Sequence, residues 1–224
     1  MGLDMYLEKV KRIGDVTPRQ LIVIDNYFNY LDRPEKYSDS TMKKWCGIDI
    51  DEVNRLGSLL VENYKEEYVH RYPSWDTEKK YGWKTIFETV ADWRKANHIH
   101  KWFVDNVQDG EDDCGTYEVT REQLEDLLDI CKRVIDGSKL VKGQIKNGQT
   151  IKNGQWEDIY EDGEYIKDST IARKLLPTTS GFFFGGTEYD QWYYRDVEYT
   201  VKVLEKLLTE TNFEHEIVMY SSSW

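Results

Sequence analysis

Gly2-Leu3-Asp4-Met5-Tyr6-Leu7-Glu8 is the stretch on which the fold turns. Leu3, Met5 and Leu7 alternate with Asp4, Tyr6 and Glu8, and a period of two marks a strand with one buried face. At the far end, residues 213–220 alternate more weakly and predict a closing strand. Between the two the spacing turns helical. Strand, helices and strand predict an α+β fold whose N- and C-terminal strands pair in one antiparallel sheet. About five helices cover that sheet, read from their apolar stripes. No linker composition interrupts the chain, so 1–224 reads as a single domain.

The helix signals are local. Thr17-Pro18-Arg19-Gln20 supplies an N-cap, a proline at the first helical position and a capping-box partner. Leu21, Ile24, Phe28 and Leu31 follow at helical spacing, and Arg33-Pro34 closes a helix over 17–32. Residues 33–48 read as loop. Asp51 opens a second helix that carries Val53, Leu56, Leu59, Leu60 and Tyr64. Residues 71–83 look irregular. A long helix is expected over 86–106, with Ile86, Val90, Trp93, Asn97, His100 and Val104 in one stripe. Residues 108–117 read as loop. Thr120 and Gln123 form a second capping box, and Gly137 ends that helix. A last helix runs over 188–208.

Residues 139–167 differ in character. Ile145-Lys146-Asn147-Gly148-Gln149-Thr150 is nearly repeated by Ile151-Lys152-Asn153-Gly154-Gln155-Trp156. Asn147-Gly148, Asn153-Gly154 and Asp162-Gly163 are hairpin turn signals, so the segment reads as an inserted β-hairpin.

Composition limits the function classes. The chain has 224 residues, with 42 acidic against 30 basic and a net charge of −12. Such a surface repels nucleic-acid phosphates and anionic membranes, so direct nucleic-acid binding is not expected. It suits a basic protein partner, and it leaves homo-oligomerisation open. Eight Trp, 16 Tyr and 7 Phe supply a core that the few aliphatics could not. Cys46, Cys114 and Cys131 are widely spaced and odd in number, which suits a reducing cytoplasm. No apolar run is long enough for a membrane span, and the start lacks the charge and apolar pattern of a signal peptide. The expected location is the cytoplasm.

Thr178-Thr179-Ser180-Gly181-Phe182-Phe183-Phe184-Gly185-Gly186-Thr187 is the strongest site signal. Glycines permit close backbone approach, the phenylalanines offer walls, and a helix start at Thr187 would expose free amides. A buried Phe-rich strand is the commoner meaning of such a run. The P-loop Lys-Ser/Thr pair and the spaced glycines of a dinucleotide fingerprint are both missing.

Several segments together resemble an uncharacterised family found in phages, prophages and bacteria. They are the opening Met-Gly-Leu-Asp-Met-Tyr-Leu, the block Trp93-Arg94-Lys95-Ala96-Asn97-His98-Ile99-His100-Lys101-Trp102-Phe103-Val104, Asp113-Cys114-Gly115, and the run from Leu176-Pro177-Thr178 through Gly185. Tyr189-Asp190 and the ending Tyr220-Ser221-Ser222-Ser223-Trp224 complete the set. The resemblance implies a phage-type accessory protein of the host cytoplasm, with an interaction or anti-defence role. It carries no catalytic residues across.

The candidate ligand-binding set is Trp93, Arg94, Asn97, His100, Thr178, Ser180, Gly181, Tyr189 and Asp190. Asn97 and His100 are i, i+3 neighbours on the expected apolar stripe, and buried polar groups need partners. A core histidine bonded to protein competes with a catalytic base. His98 and His100 lie two apart and cannot chelate one metal on an unbroken helix. The acids Glu111, Asp112 and Asp113 read as a solvated loop, and Cys114 with His100 and Asp113 is a remote thiol–imidazole–carboxylate set. No metal and no cofactor are implied. The expected function is binding of a host factor or small signalling molecule. Two alternatives stand: a small hydrolase or transferase using His100 and the Gly181 loop, and an acidic mimic of nucleic acid.

Overall fold

The computed structural model describes residues 2–23, 25, 55, 58, 70–71, 84–181 and 183–224. The fold is α+β, and its N- and C-terminal strands pair in a four-stranded antiparallel sheet. Strand β1 is Asp4–Lys11. Two-residue strands β2 (His70–Arg71) and β3 (Lys84–Thr85) pair with each other. Then come β4 (Glu88–Arg94), helix α1 (Asn97–Asn106), β5 (Thr116–Val119) and helix α2 (Arg121–Asp136). The hairpin strands β6 (Leu140–Lys152) and β7 (Gln155–Ile166) precede α3 (Thr170–Leu175), α4 (Gln191–Glu210) and β8 (Glu216–Ser223). The main sheet runs β4-β1-β8-β5.

The chain forms two compact units. The first comprises Met1–Leu7, Val90–Thr211 and Tyr220–Trp224; the second comprises Glu8–Thr89 and Asn212–Met219. In the first, α2 packs against α4; α2 buries Leu124, Leu127, Cys131 and Val134, and α4 buries Tyr193, Val197, Thr200 and Leu204, both at helical spacing. The second buries Val10, Ile13, Leu21, Val23, Ile86 and Ile217. There Lys9 bridges Glu216 at 3.1 Å and Glu88 at 3.6 Å. The Ile86 amide donates to Asp25 Oδ1 at 2.8 Å.

Both capping boxes form. The Gln20 amide donates to Thr17 Oγ1 at 3.3 Å, the Thr17 amide donates to Gln20 Oε1 at 2.9 Å, and residues 18–23 are helical. The Thr120–Gln123 pair makes the same reciprocal contact. Gly137 ends α2 at a φ of −89°, without the left-handed turn that glycine usually supplies there. The rest of the 17–32 helix, the 33–48 loop and most of the Asp51 helix lie outside the described residues. So do most of 71–83, although Arg71 itself belongs to β2.

The long helix over 86–106 does not form. Glu88–Arg94 is a strand, and the helix starts at Asn97. Ala91 and Trp93 are buried while Asp92 and Arg94 are exposed, which is the period of two. The apolar residues of this strand happen also to fall at helical intervals. Lys95, at a φ of +62°, turns the chain between strand and helix. Four residues, Thr116–Val119, form a strand within the expected 108–117 loop and beyond it. The helix expected at 188–208 starts at Gln191, capped by Asp190 instead of Thr187.

The hairpin forms over the expected segment. Asn153 and Gly154, at φ of +51° and +78°, make the two-residue turn, as a type I′ turn requires. Asn147-Gly148 instead makes a bulge, where the register slips between Lys146 and Gln149. Gly163 lies inside the ladder opposite Gly143, because the Ile145 and Tyr165 side chains cover the space that a Cβ would take at these two positions.

Candidate functional site

The first residue of α1 holds the Phe-Gly loop. Asn97 is 1% exposed. Its Nδ2 donates to the carbonyls of Gly186 at 2.7 Å and Phe184 at 3.0 Å, and its Oδ1 accepts from the Thr179 amide at 3.0 Å. One side chain thus ties both arms of the loop. The Leu3 amide adds a bond to the Phe183 carbonyl at 3.1 Å, and the Lys95 amide donates to the Leu3 carbonyl at 2.7 Å. Gly185, at a φ of +88°, passes so close to Lys95 that a Cβ would sit 2.9 Å from the lysine Cβ. Glycine is required there on both counts. The described residues of the run therefore form an irregular, stitched loop, with no Phe-rich strand among them.

His100 lies one turn further along α1 and is also 1% exposed. Its Nε2 is 2.9 Å from Asp112 Oδ2, and its Nδ1 is 2.7 Å from the Tyr220 hydroxyl. A carboxylate only accepts, so Nε2 donates; in the neutral ring Nδ1 then accepts from Tyr220. Burial holds the Tyr220 phenol well above its ordinary pKa, so it keeps the proton it donates. Trp224 Nε1 donates to the other oxygen of Asp112 at 3.0 Å. Phe184 sits edge-on to His100 at 5.2 Å and to Trp224 at 5.9 Å, and Tyr220 stacks on Phe103 at 3.9 Å. Asp112 stands where Asp113 was expected. Asp113 instead accepts from the Gly115 amide, and Cys114 is exposed.

The nine candidate residues divide. Asn97 and Thr178 join at the loop, where the Thr178 amide donates to Tyr189 Oη at 3.2 Å and its hydroxyl to the Thr187 carbonyl at 3.0 Å. Tyr189 is buried under the Arg173 guanidinium, 4.5 Å from its ring centre. Ser180 and Gly181 are exposed, with Gly181 against the Phe184 ring. Trp93 leaves the stripe with its strand and donates to Thr200 Oγ1 at 2.9 Å. Arg94 is exposed and pairs with Asp4 at 2.7 Å. Asp190 accepts from the amides of Trp192 and Tyr193, so the N-terminus of α4 already holds a carboxylate where an anion was envisaged.

Buried His98 and half-buried Asp196 also carry perturbed protonation. Burial lowers the His98 pKa to about 3, and Tyr193 lies 4.2 Å from its ring. Burial, with Asp190 nearby, raises the Asp196 carboxyl to about 7. Among the described residues no group of three or more His, Cys, Asp or Glu could hold a metal ion, and no helix is long and apolar enough to cross a membrane.

Sequence reasoning passed over the hairpin as a surface. Ile151, Trp156 and Tyr160 are 61%, 68% and 58% exposed. Ile151 pairs with Trp156 across the ladder, and Tyr160 lies four residues along β7, so all three share one face. The alternation Trp156, Asp158, Tyr160 was readable; what the sequence withheld is that nothing among the described residues covers it. The base of the hairpin is different. Ile145 and Ile166 are buried, and the Ile166 amide donates to the Tyr189 carbonyl at 2.9 Å. A separate open depression of about 440 Å³ lies between α2 and α3, lined by Arg133, Asp136, Gly137, Ile171, Lys174 and Leu175. No protein family, curated protein or solved structure matches the chain.

Proposed function

We propose that this chain is a phage-type accessory protein that acts in a bacterial cytoplasm by binding a host protein. The observation that carries the reading is the exposed face of Ile151, Trp156 and Tyr160 on a hairpin that needs none of them for its own ladder. Exposed apolar patches rimmed by charge mark interaction surfaces, and Trp and Tyr are the residues that most often anchor them. A net charge of −12 favours a basic partner and, through it, a role against a host factor that itself handles nucleic acid. Binding is preferred to a hydrolase or transferase because His100 is 1% exposed and the hydroxyl at its Nδ1 is that of Tyr220, itself fully buried. A general base must reach its substrate, or a nucleophile that does.

The test is capture from bacterial lysate by the intact protein and by Trp156→Ser, with retained proteins and extracted small molecules both identified by mass spectrometry. The expected result is a protein held by the first and lost by the second. Identical captures, or a small molecule retained equally by both, would contradict the reading.

A further inference from the structure

We infer that the outer edge of β7 takes up an extended, lysine- and arginine-rich segment of the partner as a third strand. This rests on the binding reading above and names the partner's chemistry.

The first support is backbone geometry. β7 pairs with β6 along one edge. On its other edge the amide of Ile166 donates to Tyr189, and that of Glu164 donates to Gln191 Oε1 at 3.1 Å. Outward amides therefore fall on even-numbered residues. The register along β7 is regular, since the bulge lies on β6, so the amides of Asp158, Tyr160 and Asp162 also face outward. Among the described residues no backbone group bonds to them. They are a row of free donors and acceptors of the kind that strand addition uses.

The second support is charge. β7 carries Glu157, Asp158, Glu161, Asp162 and Glu164 and no Lys or Arg. Lys146 and Lys152 of β6 reach Asp158 and Glu157 at 2.8 and 3.7 Å. Glu161 and Asp162 are met by the neutral amides of Asn147 and Gln144, which leave their charge uncancelled. An incoming strand would place its side chains beside these acids on both faces, with Trp156 and Tyr160 between them on one. Lys and Arg satisfy the acids, and their aliphatic stems lie against the rings. A second copy of this chain would bring an acidic edge against an acidic edge and is disfavoured. Charge on an edge also serves to keep edges apart, but that purpose gives no place to a tryptophan 68% exposed.

The test is fluorescence anisotropy with a labelled peptide in which Lys alternates with Val, beside one in which Glu replaces Lys. Tyr160→Thr and Tyr160→Pro both remove the ring, but only proline removes the outward amide. The Lys peptide is expected to bind, and Tyr160→Pro to bind at least ~10-fold more weakly than Tyr160→Thr. Glu157→Lys with Glu161→Lys is a second arm, in case the proline variant does not fold. It is expected to lose the Lys peptide and gain the Glu peptide. Neutralising Glu122 and Glu125 on α2 leaves binding unchanged. Equal affinity of the proline and threonine variants, equal loss from the α2 changes, or no binding of the Lys peptide would overturn strand addition. Capture that still depends on Trp156 would then leave the binding reading standing, whereas Trp156-independent capture removes that reading itself.

Discussion

The start of α1 and the tip of the hairpin are opposites. Asn97 and His100 are polar groups at 1% exposure, and the protein answers both donors of one and both nitrogens of the other. Ile151, Trp156 and Tyr160 are apolar groups above 50% exposure with no cover among the described residues. Burying a polar group without partners costs more than the bond it could have made, so the first arrangement belongs to the fold. Leaving a tryptophan in water forgoes the largest burial gain of any side chain. The second arrangement contributes nothing to the fold, and on the binding reading proposed above it is kept for a partner.

If that contrast is right, substitutions at α1 should unfold the protein and substitutions at the tip should not. Asn97→Ala strands three loop backbone groups and is expected to cost about 3 kcal/mol or more in urea unfolding. His100→Phe keeps an aromatic ring but removes the imidazole bonds to Tyr220 and to one oxygen of Asp112, at about 2 kcal/mol. A stability change near zero at either position would break the comparison.

Protonation sharpens it. The folded state holds the His98 ring neutral, with a pKa of about 3 against 6.5 when unfolded. Below pH 6.5 the unfolded chain gains a proton that the folded one refuses, so stability falls as pH drops from 6.5 towards 3. The penalty at pH 5 is about 2 kcal/mol. Thermal melts of His98→Leu should show a flatter acid limb. Asp196 has the opposite sign. Its folded pKa is raised from 3.8 to about 7, so its carboxyl costs nothing below pH 4 and its penalty grows as pH rises through 7. Asp196→Asn should stabilise by about 1 kcal/mol at pH 8, solvent screening of this half-buried group included, and by nothing at pH 4. The smallest effect belongs to the tip: Trp156→Ser should shift stability by less than about 0.5 kcal/mol.

What the sequence made legible was local. The two capping boxes and the Asn153-Gly154 turn are contacts within three residues, and the terminal strands show their own alternation. The 86–106 segment misled because Ile86, Val90, Trp93 and Asn97 fit a helix while Ala91 and Trp93 fit a strand just as well. Lys95 breaks the chain at a positive φ without a glycine or proline to announce it. The place of Asn97 and His100 on an apolar stripe implies that each needs a polar partner. Their partners come from residues 179–186, Asp112 and Tyr220, which only the tertiary fold brings near.

Residue-resolved amide hydrogen exchange tests the contrast most directly. The Thr179 amide, bonded to Asn97, should exchange slowly, while Asp158, Tyr160 and Asp162 exchange fast beside slow neighbours Glu157 and Glu161. Uniform protection along β7, with fast exchange at Thr179, would contradict both the structural role of Asn97 and the open edge of the hairpin.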